Sequence, residues 1–247
     1  PSPMSSEQAP RMRVLGLVPA RGGAGGSLGG DGGYLAGRPL LAYTADCAAA
    51  ARSLARVVLS TEDREIADIG RVCGLDVPFL RPAPLSGDET PLFEVADHAL
   101  RWLEERGERW DAVCLLSPRH PLRHFEDIDA CVAQLERESA DAVLAITPVP
   151  DAYNPHWIYT RCEEGCIHLA TGERIPIARS ENLPPAYRRD GSICVTRRDV
   201  ILGQKSLYGR RLLGHVVDAD RSVGLERPED WSRAETLLAR TGTAGER

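Results

Sequence analysis

The sequence predicts an α/β fold in which a mostly parallel central sheet is flanked by helices and interrupted by one inserted arm. Three observations predict it. Short apolar runs of strand length recur at residues 12–18, 55–59, 77–80, 112–116 and 142–146, each bounded by turn or capping residues. Helical periodicity fills the spaces between them. From Asp151 to Arg189 that rhythm breaks into a stretch rich in Pro, Arg and aromatic residues, as in Asn154-Pro155-His156-Trp157.

Strands that alternate with helices imply right-handed crossovers, which make neighbouring strands parallel and put ligands at their carboxyl ends. The run at 12–18 leads straight into Pro19-Ala20-Arg21-Gly22-Gly23. After the run at 55–59, Thr61 is the expected cap of a helix whose Ile66, Ile69, Val72 and Cys73 share one face and which Gly74 ends. Residues 124–137 repeat the pattern, with Ile128, Cys131, Val132 and Leu135 on one face. Beyond the expected arm at about 151–189, strands are predicted at 192–196 and 212–217. A closing helix follows at 228–240, where Pro228, Glu229 and Asp230 suit a first turn.

One domain over residues 12–240 accounts for the chain, with residues 1–11 expected to be a disordered leader and 241–247 a flexible tail. Residues 1–10 lack the apolar centre of a signal peptide. No run approaches the roughly 20 apolar residues a membrane helix needs. A net charge of −6 without basic runs argues against nucleic acid or an acidic membrane as partner. Seven cysteines, mostly inside apolar patterns, read as free thiols in a cytoplasmic protein. Cys162 and Cys166 alone are too few for a zinc site.

The segment after the first strand is the most distinctive. It holds eight glycines in the twelve residues from Gly22 to Gly33. Glycine lets backbone N–H groups converge on an anion, and Arg21 adds a fork-shaped cation. The spacing matches neither the Walker A loop nor the dinucleotide fingerprint.

Several short motifs now line up in order. Pro19-Ala20-Arg21-Gly22-Gly23 is followed by Leu35-Ala36-Gly37-Arg38-Pro39-Leu40, Leu59-Ser60-Thr61-Glu62-Asp63, Leu80-Arg81-Pro82 and Ser86-Gly87-Asp88-Glu89-Thr90. Ser117-Pro118-Arg119-His120-Pro121-Leu122-Arg123 and Pro185-Ala186-Tyr187-Arg188-Arg189-Asp190-Gly191 complete the set. Together they resemble the acylneuraminate (CMP-sialic acid) cytidylyltransferases and wider CMP-sugar synthetases, as a divergent member, over nearly all of residues 12–240. The resemblance implies a Rossmann-like three-layer nucleotide-diphospho-sugar transferase fold. It also implies a reaction in which the anomeric hydroxyl of a sugar acid attacks the α-phosphate of CTP and releases pyrophosphate. Magnesium (Mg) would assist, and the arm would pack across a homodimer.

The residues that inherit roles are then definite. Pro19, Ala20, Arg21, Gly22, Gly23 and Gly26 would bind nucleotide, together with Asp31, Arg81, Asp88 and Thr90. Ser117, Arg119 and Arg123 would meet the acidic acceptor, as would Tyr187, Arg188 and Arg189. Arg21 and His120 are the catalytic candidates, and Glu226 is the metal candidate.

The chain also departs from the pattern. Ala24 and Gly25 stand where the family has serine and lysine, and Gly30 and Asp31 where it has lysine and asparagine. Gly224-Leu225-Glu226 replaces an Asp-Ile-Asp metal motif, Ser117 replaces glutamine, and Asp190 replaces asparagine. Each lost cation removes a charge-assisted bond worth roughly 1.5–3 kcal/mol. Two readings stay open: an active cytidylyltransferase with altered substrate or metal use, and a catalytically inactive homologue that binds a ligand or partner. A different chemistry on the same scaffold ranks below both, since neither a nucleophile elbow nor a metal-spaced histidine pair is present.

Overall fold

The computed structural model describes residues 12–22 and 31–244. The expected leader, the end of the expected tail, and Gly23 and Gly26 of the nucleotide set lie outside the described residues. Strand β1 (Val14–Pro19) is followed by the short strands β2 (Tyr34–Leu35) and β3 (Arg38–Pro39) and by helix α1 (Leu40–Ala50). Next come β4 (Leu54–Ser60), α2 (Arg64–Val72), α3 (Leu92–Glu104), β5 (Ala112–Leu116), α4 (Phe125–Arg137) and β6 (Ala142–Pro148). The arm carries a small hairpin, β7 (Tyr159–Arg161) and β8 (Ile167–Leu169). The chain then returns as β9 (Tyr187–Arg197), α5 (Arg198–Gln204), β10 (Leu212–Val216) and α6 (Pro228–Ala244).

The six-stranded sheet runs β10-β6-β9-β5-β1-β4. β1 pairs in parallel with β4 and β5, and β10 with β6, while β9 is antiparallel to both its neighbours. The expected mostly parallel sheet is therefore what forms. Alternation within β1 builds the layers: Val14 and Val18 face a core shared with Ala45, Ala48, Ile128 and Cys131 from α1 and α4. Leu15 and Leu17 face the other way, onto Ala96, Leu100 and Leu103 of α3 and Ile201 of α5. A third cluster ties α6, through Ala234 and Trp231, to Leu35, Leu40, Val223 and Leu225. It seats the 223–225 segment beside the central sheet.

Five expectations change. Residues 77–80 form no strand; next to them an isolated Val58–Asp76 bridge is the ladder pairing with β4. Pro78 cannot donate to a ladder, so the chain runs extended beside β4, held by Leu59 N to Asp76 O (2.8 Å) and Arg81 N to Thr61 O (2.8 Å). Helix α2 is capped by Asp63, not Thr61: Asp63 Oδ1 accepts from the N–H groups of Glu65 and Ile66, while Thr61 Oγ1 accepts from Asp63 N. Val72 lies outside the buried face at 90% exposure, while Ile69 and Cys73 on either side of it pack against the core. The arm ends sooner than Arg189, since β9 begins at Tyr187 and pairs Tyr187, Arg188 and Arg189 with Pro148, Thr147 and Ile146. The closing helix runs to Ala244 rather than Arg240.

Candidate active site

The carboxyl ends of β1, β5 and β6 open on a 580 Å³ cavity whose far wall is β9. Its floor is apolar, built by Leu92, Val95, Leu115, Leu144, Cys194 and Leu207. Its rim is charged. Pro19, Arg21, Asp31, Arg81, Asp88 and Thr90 line it, as do Ser117, Arg119, His120, Arg189 and Glu226.

On the β1 side, Arg21 Nη1 donates to Gly87 O (3.1 Å) and Asp88 Oδ1 (3.0 Å). The Arg21 backbone N–H donates to Asp31 Oδ2 (2.9 Å). Ala20 is fully buried and bonds to Ser60, so it shapes the turn without meeting the cavity. Gly22 N donates to Glu62 Oε1 (2.9 Å), and a Cβ at Gly22 would lie 2.5 Å from Asp63 Oδ2. Only glycine fits that approach without a shift. Arg81 is 3% exposed, and it donates to Ser60 O, Ala20 O, Ser86 Oγ and Glu62 Oε2. Burial lowers its pKa, and Glu62 opposes that by stabilising the charged form. Arg81 thus fixes the ends of β1 and β4. Glu62, which motif reading had not singled out as a site residue, is the hub that joins it to the glycine turn.

On the β5 side, Arg119 Nε donates to Asp31 Oδ1 (2.9 Å) and Nη1 to Leu225 O (3.0 Å). Two residues that both depart from the family pattern are therefore partners. His120 Nε2 lies 2.9 Å from Asp190 O, an acceptor, so Nε2 carries the proton and Nδ1 is the bare nitrogen. Nδ1 is buried and has no partner among the described residues. Burial lowers the His120 pKa, and Arg123 adds to that; the nearby Asp190 opposes it. Asp190 is itself buried, with Oδ1 accepting from Ser192 N (3.1 Å) and Oδ2 from Ser222 Oγ. Burial would raise its carboxyl, but the bonds from Ser192 and Ser222 outweigh it and hold the pKa low.

The four arginines of the acceptor set separate in space. Arg189 lines the cavity, with Nη1 donating to Tyr208 OH (3.2 Å). Arg119 lines it too. Arg123 does not: it is 8% exposed, and Nη1 donates to Ser117 O (3.0 Å) and Ser192 O (2.9 Å), clamping β5 to β9. Arg188 turns aside to Ser222 Oγ (3.0 Å), and Tyr187 stands half exposed at the start of β9. Tyr208 was missed because nothing in its local sequence sets it apart.

Among the described residues Glu226 is the one cavity-lining carboxylate that accepts no hydrogen bond and forms no ion pair, since Asp31 and Asp88 are held by arginines and Asp190 by hydroxyl and backbone donors. No group of three His, Cys, Asp or Glu able to hold a metal occurs among the described residues. Position 224 offers no donor. Magnesium is commonly held by one or two carboxylates plus substrate phosphates, so this donor set fits a magnesium ion that arrives on a polyphosphate.

A family model described as Cytidylyltransferase matches residues 15–213. The chain is 28% identical to the CMP-N,N'-diacetyllegionaminic acid synthase of Legionella pneumophila, over 92% of this chain and 97% of that protein. It is 32% identical to the pseudaminic acid cytidylyltransferase of Campylobacter jejuni, over 73% of this chain and 77% of that one. It is 25% identical to an N-acylneuraminate cytidylyltransferase of Escherichia coli, of which it spans 52%. Among solved structures, CMP:2-keto-3-deoxy-manno-octonic acid synthetase complexed with CTP superposes with a TM-score of 0.67 at 14% identity, covering 93% of this chain and 99% of that one. That likeness concerns the fold.

Proposed function

The chain belongs to the cytidylyltransferase family, and from that premise we propose that it transfers CMP from CTP to a sialic-acid-like sugar acid and releases pyrophosphate. The observation that supports this most is the cavity itself. Its rim sets the guanidinium groups of Arg21, Arg119 and Arg189 around an apolar floor at the carboxyl ends of parallel strands. Arginine forks match phosphate and carboxylate oxygens in pairs. The acids named for its relatives, diacetyllegionaminic, pseudaminic and N-acylneuraminic, are the class of acceptor this reading takes.

In the reaction so proposed, the acceptor hydroxyl gives up its proton to solvent and attacks the α-phosphorus, an O–P bond forms, and the bond to the bridging oxygen of pyrophosphate breaks. Arg21 neutralises phosphate charge from the β1 side, and Arg189 orients the acceptor carboxylate from β9. Glu226 would hold magnesium carried on the phosphates; when bound, the ion supplies charge neutralisation at the leaving group. We assign His120 a positioning role rather than that of a base. Its Nε2 proton is committed to Asp190 O and its Nδ1 is shut from solvent. The turn from β5 is thereby pinned to β9.

The wider setting follows the same reading. Tyr153, Tyr159, Ile167 and Ile175 of the arm are exposed, which supports packing of the arm on a second copy as a homodimer. No helix among the described residues is long and apolar enough to cross a membrane, and the seven cysteines are all free. Free thiols and a nucleoside triphosphate substrate both suit a cytoplasmic enzyme.

Pyrophosphate release, measured for each of the four nucleoside triphosphates against a panel of sugar acids, tests the proposal. Turnover with CTP and a sialic-acid-like acid is expected. If no pair rises above blank, the inactive, ligand-binding homologue takes its place.

A further inference from the structure

We propose that Arg119 is a phosphate-binding residue, paired with Arg21 in a two-arginine clamp for the polyphosphate of the nucleotide. This rests on the reading that the cavity takes a nucleoside triphosphate.

The clamp is built around Asp31. One of its oxygens accepts the Arg21 backbone N–H at 2.9 Å, and the other accepts Arg119 Nε at 2.9 Å. A single carboxylate thus holds together two residues whose guanidinium groups line the same cavity. Neither fork is saturated. Arg21 uses Nη1 on Gly87 O and Asp88, while Arg119 uses Nε on Asp31 and Nη1 on Leu225 O. Nη2 of either arginine has no hydrogen-bond partner among the described residues, and the two side chains remain 44% and 40% exposed. Braced but unsaturated arginine is a preorganised anion receptor: its rotamer is fixed before the ligand arrives, and N–H groups are left to donate.

The surroundings favour phosphate over the acceptor carboxylate as the anion. Arg119 sits on the Asp31 and Arg21 side of the cavity, whereas Arg189 occupies β9 with Tyr208. The backbone of Arg119 also accepts Leu225 N at 2.9 Å, which places its guanidinium against the segment ending in Glu226. A fixed cation therefore stands where that segment offers one carboxylate and no second. It shares the charge of the triphosphate that a metal would otherwise carry alone.

Calorimetric titration of the full chain with CTP, with cytidine and with N-acetylneuraminic acid separates the possibilities, each run in magnesium and in EDTA. Wild type is expected to bind CTP in EDTA as well as in magnesium. Arg119→Gln is expected to weaken CTP by roughly tenfold to a hundredfold and to leave cytidine and the acid within about twofold. The double variant Asp31→Asn/Arg119→Gln, which leaves no unpaired carboxylate to disturb the fold, is expected to show the same loss, with melting temperatures recorded for both. The clamp is overturned if wild type binds CTP only with magnesium, if both variants keep wild-type CTP affinity, or if the acid is weakened in place of CTP. Pyrophosphate release from CTP alongside any of these results leaves the proposed function standing. Absence of CTP binding in either condition removes that function and the clamp with it.

Discussion

The imidazole of His120 occupies the space that a side chain at Gly224 would enter: a Cβ there would lie 3.0 Å from Nε2 and 3.4 Å from Cε1. The same ring would meet a Cβ at Gly191, 3.1 Å from Cε1. Histidine at 120 and glycine at 224 are therefore one structural choice, and the missing carboxylate of the Gly224-Leu225-Glu226 segment is part of it.

Restoring aspartate at 224 is accordingly expected to fail on its own. Gly224→Asp forces the ring or the backbone to move and should destabilise the protein by about 1–3 kcal/mol, as overpacking does. Gly224→Asp combined with His120→Ser should recover most of that loss. Urea unfolding of the two variants checks this; equal stability of the single variant and wild type would show that the ring moves aside freely.

A second expectation concerns pH. His120 has its pKa depressed below the ordinary 6.5, so the unfolded chain binds a proton that the folded chain resists. The stability tied to its neutral form is complete above about 6.5 and is lost as pH falls from there through the folded-state pKa. His98 is depressed as well, by burial and by Arg81, and contributes in the same direction. Chemical denaturation between pH 7.5 and 5 should show wild type losing more stability than His120→Gln, with the remaining slope due in part to His98. Parallel curves would count against a buried neutral His120.

Arg123 and Arg189 should differ in kind. Arg123→Met removes the donor that satisfies two buried carbonyls, at a cost of about 2–4 kcal/mol, with a modest effect on the KM of the acid. Arg189→Ala should leave stability within about 0.5 kcal/mol and raise that KM about tenfold or more. Melting curves and steady-state kinetics on the two variants separate the roles, and a reversed pattern would exchange them.

Glu62 is expected to matter through Arg81. Glu62→Gln leaves a buried guanidinium without its counter-charge and should cost roughly 1–3 kcal/mol, reduced because the Glu62 side chain keeps some contact with water. Since Gly22 also bonds to Glu62, the affinity for CTP should fall with it. Calorimetry of that variant at a temperature where it is fully folded isolates the second effect.

Much of this protein was legible before its fold. The apolar runs at 112–116 and 142–146 became β5 and the buried part of β6, because a strand covered on both faces must be apolar at every position. Pro19-Ala20-Arg21 marked the mouth of the cavity, because a turn after the first strand of such a sheet faces the ligand side. Residues 77–80 misled, since the apolar pattern counts side chains while a ladder needs N–H groups, and Pro78 has none.

By itself the sequence determined the layers, the order of most elements and the end of the sheet at which the cavity opens, since these depend on local period and chain direction. The tertiary structure alone decided what each charged group does there. Arg81, Arg119, Arg123 and Arg189 are chemically one residue type, yet two are buried braces and two face the cavity. Their partners lie far along the chain: Ala20 for Arg81, Asp31 for Arg119, Ser192 for Arg123 and Tyr208 for Arg189. A side chain's role is set by what solvates it, and for these residues that solvent is distant chain brought close only by folding.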